Sequence, residues 1–375
     1  MNSSFVKKVS ISLLALSLAA CGSSGSGGSG STDTETEGVD AMEAYGCNVI
    51  NVYNWGEYIG EDVVSNFEEL YNAKVNYDMF DSNESMYTKL MGGSSYDLLV
   101  PSDYMIERLL MEDMLQKLDL SKIPNISALD PDVVDMQKVY DPTLEYSVPY
   151  FHGSVGLVYN KNNVDPAEIE EKGWDILLDE KYKNKVYMYD SQRDSFMIAF
   201  KALGYSMNTS DDAEIQAAYE WLRKVHETVS PAYVTDEVID AMAYPNANDP
   251  KDIAVVYSGD AAYIIAENPD MDYIEPKQGT NVWSDGMVIP KNAGCPALAN
   301  EFINFVLTYD SSYDNSITVG YTSSNLEVSE ELSTTEFDGI DAYVPRVGYE
   351  KDEVFRYNSV LVQKLSDLWN KVKIN

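Results

Sequence analysis

The sequence predicts an α/β protein of two domains joined by two extended crossings, with a cleft between the lobes. Three observations predict it. Residues 48–104 alternate strand-like and helix-like patterns as a β-α-β-α-β run, and a second αβ series begins near residue 174. Two long, glycine-containing extended segments, residues 147–159 and 281–289, lie where the chain would pass between the two series. Once an amino-terminal leader and linker are set aside, about 330 residues remain, enough for two sizeable cores.

The leader is residues 1–20. Lys7 and Lys8 precede an apolar run, residues 9–20, that closes in small residues and is too short to span a bilayer as a helix. Leu18-Ala19-Ala20-Cys21 resembles a bacterial lipobox, which implies cleavage before Cys21 and a lipid on its sulfur. Residues 22–31 are nearly pure Gly and Ser, a flexible tether, and residues 32–44 read as its acidic continuation.

The folded part opens with a strand. Val49, Ile50, Val52 and Tyr53 are β-branched or aromatic, and the run stops at Asn54-Trp55-Gly56, where glycine lets the backbone turn. Val63, Val64, Phe67, Leu70 and Tyr71 then recur at helical spacing, with Glu61 and Asp62 complementing the helix amino terminus. Residues 74–79 read as a strand, 84–91 as a helix and 96–100 as a strand halted by Pro101. A helix follows over 106–115, and residues 119–141, punctuated by Pro, Asn and Asp, are expected to wrap the surface. After the first crossing, residues 174–178 and 185–189 start the second series, with helices over 196–203 and 215–225 and a core strand over 253–257. The second crossing returns the chain toward helices over 297–307 and 352–372. The expected lobes are residues 45–153 with 285–330, and 154–284 with 331–375.

Charge and cysteines narrow the function. Removing residues 1–20 deletes two lysines and no acids, leaving 24 basic against 62 acidic residues, a net charge of −38. Nucleic acid is excluded as a partner, because phosphate binding needs clustered Lys and Arg, whereas a cationic ligand is drawn to such a field. Cys47 and Cys295 are free to pair outside the cytoplasm, though nothing in the sequence shows that they do. No Cys or His cluster has metal-ligand spacing, His152 and His226 lie far apart, and neither a metal nor another cofactor is expected.

In open α/β sheets ligands bind beyond the carboxyl ends of the strands. Those ends carry Trp55, Glu57 and Tyr58; Ser102 and Tyr104; Ser191 and Asp194; Tyr257 and Asp260; and Trp283 and Asp285. The set is aromatic and acidic. Aromatic faces attract alkylammonium groups and pack methylenes, while carboxylates accept charge-assisted hydrogen bonds from ammonium ends. Sugars also use aromatic faces with carboxylates, so this chemistry fits a polyamine, another cation or a sugar.

The segments YNWGEY, DSNESMYTKL, YDLLVPSDY, VWSDGMVIP and VGYTSSN carry a resemblance that spans most of the chain. It is similar to the spermidine/putrescine-binding proteins of bacterial polyamine ABC transporters. The resemblance implies a two-lobed, type II periplasmic-binding-protein fold and a monomeric, non-enzymatic carrier at the outer face of the cell membrane. Its ligand would be passed to a separate permease and ATPase. By the same resemblance Trp55 and Tyr58 are aromatic walls, Ser102 and Tyr104 are contacts, and Asp194, Trp283 and Asp285 clamp the ligand. Tyr257 stands where the family has a stacking Trp, and Tyr321 matches its Tyr after Gly. There are departures: Gly56 replaces a hydroxyl residue, Ser191 stands where a carboxylate is common, and a carboxy-terminal Gln appears as Phe355 or Arg356. Asp260 resembles the acid of putrescine-preferring relatives, so the preferred polyamine stays open. The competing classes are a glycosidase using Asp194 and Asp285 as its carboxylate pair, and a lipid-anchored adhesin or scaffold.

Overall fold

The computed structural model describes residues 38–235, 237–246 and 248–374, so the leader, Cys21 and most of the tether lie outside the described residues. Ten strands form one continuous, mixed sheet: β1 (Val49–Trp55), β2 (Lys74–Phe80), β3 (Leu98–Leu99), β4 (Ser147–Asn160), β5 (Val186–Tyr189), β6 (Ala232–Val234), β7 (Ile253–Tyr257), β8 (Met271–Ile274), β9 (Val282–Val288) and β10 (Thr322–Ser323). The order is β2-β1-β3-β9-β4-β7-β5-β6, with β8 and β10 also paired to β4.

Two half-sheets meet on β4. Residues 147–154 of this strand pair antiparallel with β9, and residues 155–160 pair antiparallel with β7 and β8. On one side β2, β1 and β3 run parallel and β9 closes against β3; on the other, β7, β5 and β6 run parallel. One strand thus serves both halves, which is why it is long and buried almost throughout. Its glycines are steric requirements. A Cβ on Gly153 would lie 2.5 Å from Cζ2 of Trp283, and one on Gly156 would lie 2.4 Å from the carbonyl oxygen of Ile274. The middle of β4 is also tied to the residues before β9: Val155 N–H donates to Asn281 O at 3.1 Å, and the Thr280 hydroxyl donates to Val155 O at 2.6 Å.

Two apolar clusters form, one within the first half and a larger one that fills the second and also takes in Tyr53, Leu99, Leu109 and Val133 of the first. Ile50, Val52, Phe67, Leu98, Phe302 and Ile303 fill the first, while Trp174, Phe196, Phe200, Leu222, Val255 and Trp369 belong to the core around the second. Cys47, just before β1, is disulfide-bonded to Cys295, the residue before the helix Pro296–Val306, across 248 positions of sequence.

Three expectations are corrected. The acidic stretch read as tether is folded from residue 38: Val39 N–H donates to Leu70 O at 2.7 Å, and Asp40 caps the helix Ala41–Tyr45, which ends on left-handed Gly46. Within 119–141 the helix Pro131–Gln137 buries Val133 and Met136 and sends the Gln137 amide to Ser147 O, so this stretch enters the core. The final helix is Ser359–Val372, because residues 352–357 are drawn off it. There Asp352 takes Arg346, Glu353 takes Lys201, and the Tyr357 N–H donates to Glu107.

Candidate functional site

The residues expected at strand ends follow the carboxyl ends of β1, β3, β5 and β7, except that Trp283 and Asp285 lie within β9, which runs antiparallel to β3 and β4. The turn after β3 is fixed to β9 by a bridge between Ser102 and Asp285 and by a 3.0 Å bond from Gly286 N–H to Pro101 O. Period-two alternation along β9 places Trp283 and Asp285 on one side of the strand, and both are buried.

Around them runs a connected series of rings. Tyr58 meets Phe151 edge-on at 5.1 Å and Tyr321 at 5.9 Å; Tyr321 meets Trp283 at 5.2 Å; Trp283 meets Tyr257 at 6.1 Å; and Tyr257 meets Tyr189 at 4.9 Å. Tyr321 lies over Gly259, where a Cβ would come within 2.3 Å of its ring. Carboxylates are set into this box, each accepting tyrosine hydroxyls. Tyr58 donates to Asp285 at 2.7 Å, Tyr257 to Asp194 at 3.1 Å, and both Tyr189, at 2.8 Å, and Tyr321, at 3.0 Å, to Asp260.

Burial governs the charges. It raises the Asp285 carboxyl to about 6, although hydrogen bonds from Ser102 and Tyr58 pull the other way. It also raises Asp194, against bonds from Ser191 and Tyr257. Asp285 Oδ1 and Trp283 Nε1 are buried without a hydrogen-bond partner. A carboxylate oxygen out of water and unbonded is costly, and a cation is the group that would relieve it.

The remaining expected residues sit as follows. Trp55 packs its ring 4.5 Å from Phe80, with Nε1 buried and unbonded. Glu57 is an exposed turn residue in the left-handed region, φ 51°. Ser102 and Tyr104 are held by Asn83, whose amide donates to both at 3.1 and 3.0 Å. Ser191 is spent locally, capping the helix Gln192–Ala202 by accepting from Asp194 N–H.

The family model described as bacterial extracellular solute-binding protein matches residues 62–338. The chain belongs to the bacterial extracellular solute-binding proteins. Among curated relatives of this solute-binding protein, the spermidine/putrescine-binding periplasmic protein of Escherichia coli is 35% identical over 298 residues, 79% of this chain and 83% of the relative. The putrescine-binding periplasmic protein PotF of the same organism is 28% identical over 341 residues, 86% and 91% of the two chains. Among solved structures, PotD of Streptococcus pneumoniae, a spermidine/putrescine substrate-binding protein, matches with a TM-score of 0.75 and 34% identity over 87% of this chain and 98% of its own. The Tp0655 lipoprotein of Treponema pallidum matches with a TM-score of 0.74 and 28% identity over 87% and 100%. PotD of Streptococcus pneumoniae is by name the substrate-binding protein of an ABC transporter, and this solute-binding protein shares its two-lobed α/β fold.

Two polar groups of the solute-binding protein escape a search for acids and aromatics at strand tips. Asp103, between Ser102 and Tyr104, is almost wholly buried; it accepts from Tyr104 N–H at 2.6 Å and from Ser284 N–H at 3.4 Å. Arg193 lies with its guanidinium 3.5 Å over the Tyr104 ring and 3.7 Å from Glu84. Asp103 is absent from the expected set although it lies at the same strand end as Ser102 and Tyr104, whereas Arg193 is a cation on the first turn of a helix and carries no such signal. Among the described residues no metal-binding group of His, Cys, Asp and Glu is found, and no helix is long and apolar enough to cross a membrane.

Proposed function

We propose that this solute-binding protein captures a polyamine, spermidine or putrescine, and delivers it to the permease of an ABC transporter. The observation that carries this reading is the aromatic box holding Asp194, Asp260 and Asp285, with one Asp285 oxygen buried and unbonded. Carboxylates at separate points of an aromatic box match ammonium groups separated by methylenes. A neutral sugar would offer hydroxyls but no charge to offset the buried acids. The relatives named for spermidine and putrescine support the assignment.

The proposed ligand set is Trp55, Glu57, Tyr58, Ser102, Tyr104, Ser191, Asp194, Tyr257, Asp260, Trp283, Asp285 and Tyr321. The lobes, residues 45–153 with 285–330 and 154–284 with 331–375, would close on the ligand about residues 151–158 and 282–286. Cys21 would carry the lipid that holds the carrier at the outer face of the membrane, a reading supported by the lipobox and by a relative named a lipoprotein.

A thermal-shift series with putrescine, spermidine, spermine and simple sugars tests the assignment, since a ligand bound to the native state raises the melting temperature. Stabilisation by sugars alone, or by nothing, overturns it. Small-angle scattering at saturating polyamine should record a smaller radius of gyration. Cys21→Ala should release the protein from membranes, and undiminished membrane association would remove the anchor.

A further inference from the structure

Asp103 and Asp285 form a pair of buried carboxyls set on adjacent elements. Asp103 bonds the backbone N–H of Ser284, the residue before Asp285, while Ser102, the residue before Asp103, bridges to Asp285 itself. Both are more than nine-tenths buried. Their only nearby full positive charge among the groups acting on them is Arg193, which acts on Asp103. Asp285 is otherwise faced by the phenols of Tyr58, Tyr140, Tyr150 and Tyr321, and Asp103 by those of Tyr104 and Tyr140. All these phenols are raised by burial and stay neutral, so none supplies counter-charge. Two neighbouring buried carboxyls with no dedicated cation do not both ionise; one keeps its proton.

We propose that Asp103 is a proton-holding partner of Asp285, and that capture of a cationic ligand at the unbonded Oδ1 of Asp285 expels that proton to solvent. The free pair carries one negative charge and one proton; the occupied pair carries two negative charges against the ligand's ammonium. Asp103 is in this scheme a positioning residue, acting through Asp285. The chemistry of the pair supports the assignment: burial, then the charge of Asp285, raises the Asp103 carboxyl to about 8, while Asp285 stands at about 6. The sign follows. A bound cation lowers both values, protons leave, and affinity rises with pH across the interval between them, levelling above it.

The proposal rests on the polyamine reading of the site, and the test separates the two. Titration calorimetry of the wild-type protein with putrescine and with spermidine, at a pH near 6.5 in phosphate, PIPES and ACES, counts protons from the dependence of heat on buffer. Both ligands are fully protonated there, so the count reports the protein. The expected result is release of about one proton per ligand, with affinity rising up to about tenfold per pH unit between about 6 and 8. Asp103→Asn should lose most of the proton release, keeping only the fraction of a proton that Asp285 holds at that pH, and its affinity should be nearly level from about pH 7 to 8. Tight polyamine binding by the wild-type protein with no buffer dependence and no pH slope overturns the proposal, whether or not the variant folds. Absence of polyamine binding sinks the functional assignment instead.

Discussion

Replacing Asp285 by Asn should move stability and affinity in opposite directions. The carboxyl is buried, with Oδ1 unbonded, and its rise from the ordinary 3.8 to about 6 corresponds to about 3 kcal/mol at about 1.36 kcal/mol per tenfold. The folded state binds the proton more tightly than the unfolded one, so this cost accumulates as pH rises from about 4 to about 6 and is fully present at neutral pH. Asn carries no charge and removes it, less whatever its amide loses by being unbonded. The ligand-free variant should therefore melt higher than wild type at pH 7 by up to about 3 kcal/mol, and the gain should vanish near pH 4. Binding should weaken by about 2–5 kcal/mol, the range for removing one member of a buried charge pair, or roughly 30-fold or more in Kd. Calorimetry with putrescine and spermidine alongside thermal melts at pH 4 and 7 checks both halves. If Asp285 serves only to cap the turn before Gly286, the variant melts lower and binds within about threefold of wild type, under ~1 kcal/mol, and the clamp is refuted.

Other perturbations address the frame around that residue. Reduction of the Cys47–Cys295 bond, or Cys47→Ser with Cys295→Ser, should lower stability by about 2–4 kcal/mol, and a melting temperature indifferent to reductant would show that the bond constrains nothing. Gly153→Ala places a Cβ 2.5 Å from Trp283 and 2.6 Å from the Ser258 hydroxyl, so it should displace the indole and weaken binding by about 1–3 kcal/mol; unchanged tryptophan emission and affinity would count against this. Arg356→Gln breaks the guanidinium contact with Glu107, which joins the 352–358 segment beside Lys201 to the helix Asp103–Met111 of the other half. Because Arg356 is half exposed the loss should stay within about 1 kcal/mol, read as a small drop in affinity and a larger ligand-free radius of gyration in scattering. Identical scattering in the two proteins would leave the contact without a role in closure.

Much of this architecture was legible in the chain because it is written in short-range pattern. Residues 147–159 announce themselves as an extended run too long for one ordinary strand, and Gly153 and Gly156 stand where a ring or a carbonyl approaches the backbone. Trp283 and Asp285 were readable together because a strand repeats every two residues. What escaped depends on contacts distant in sequence. Residues 38–45 have a tether's composition, and only the docking of Val39 on Leu70 makes them structure. Residues 352–357 continue a helical pattern, but ion pairs to Lys201 and Arg346 and the contact with Glu107 outbid the helix. The pairing of Cys47 with Cys295 spans 248 positions and has no local trace.

The site residues divide by the same physical criterion. Ser191 is satisfied locally by its helix cap, and its position would persist in a protein that bound nothing. Asp285 and Asp103 are different, because folding places them where neither can be ionised cheaply and provides no lysine or dedicated arginine to offset them. A chain selected for stability alone would have replaced such a pair by apolar residues, since buried charge without a partner is among the most destabilising arrangements available. The presence of such a pair, with Asp285 on the same strand face as Trp283, makes sense if the missing positive charge arrives from outside. The free energy withheld from folding is then returned on binding, and it is returned only to a ligand that brings a cation.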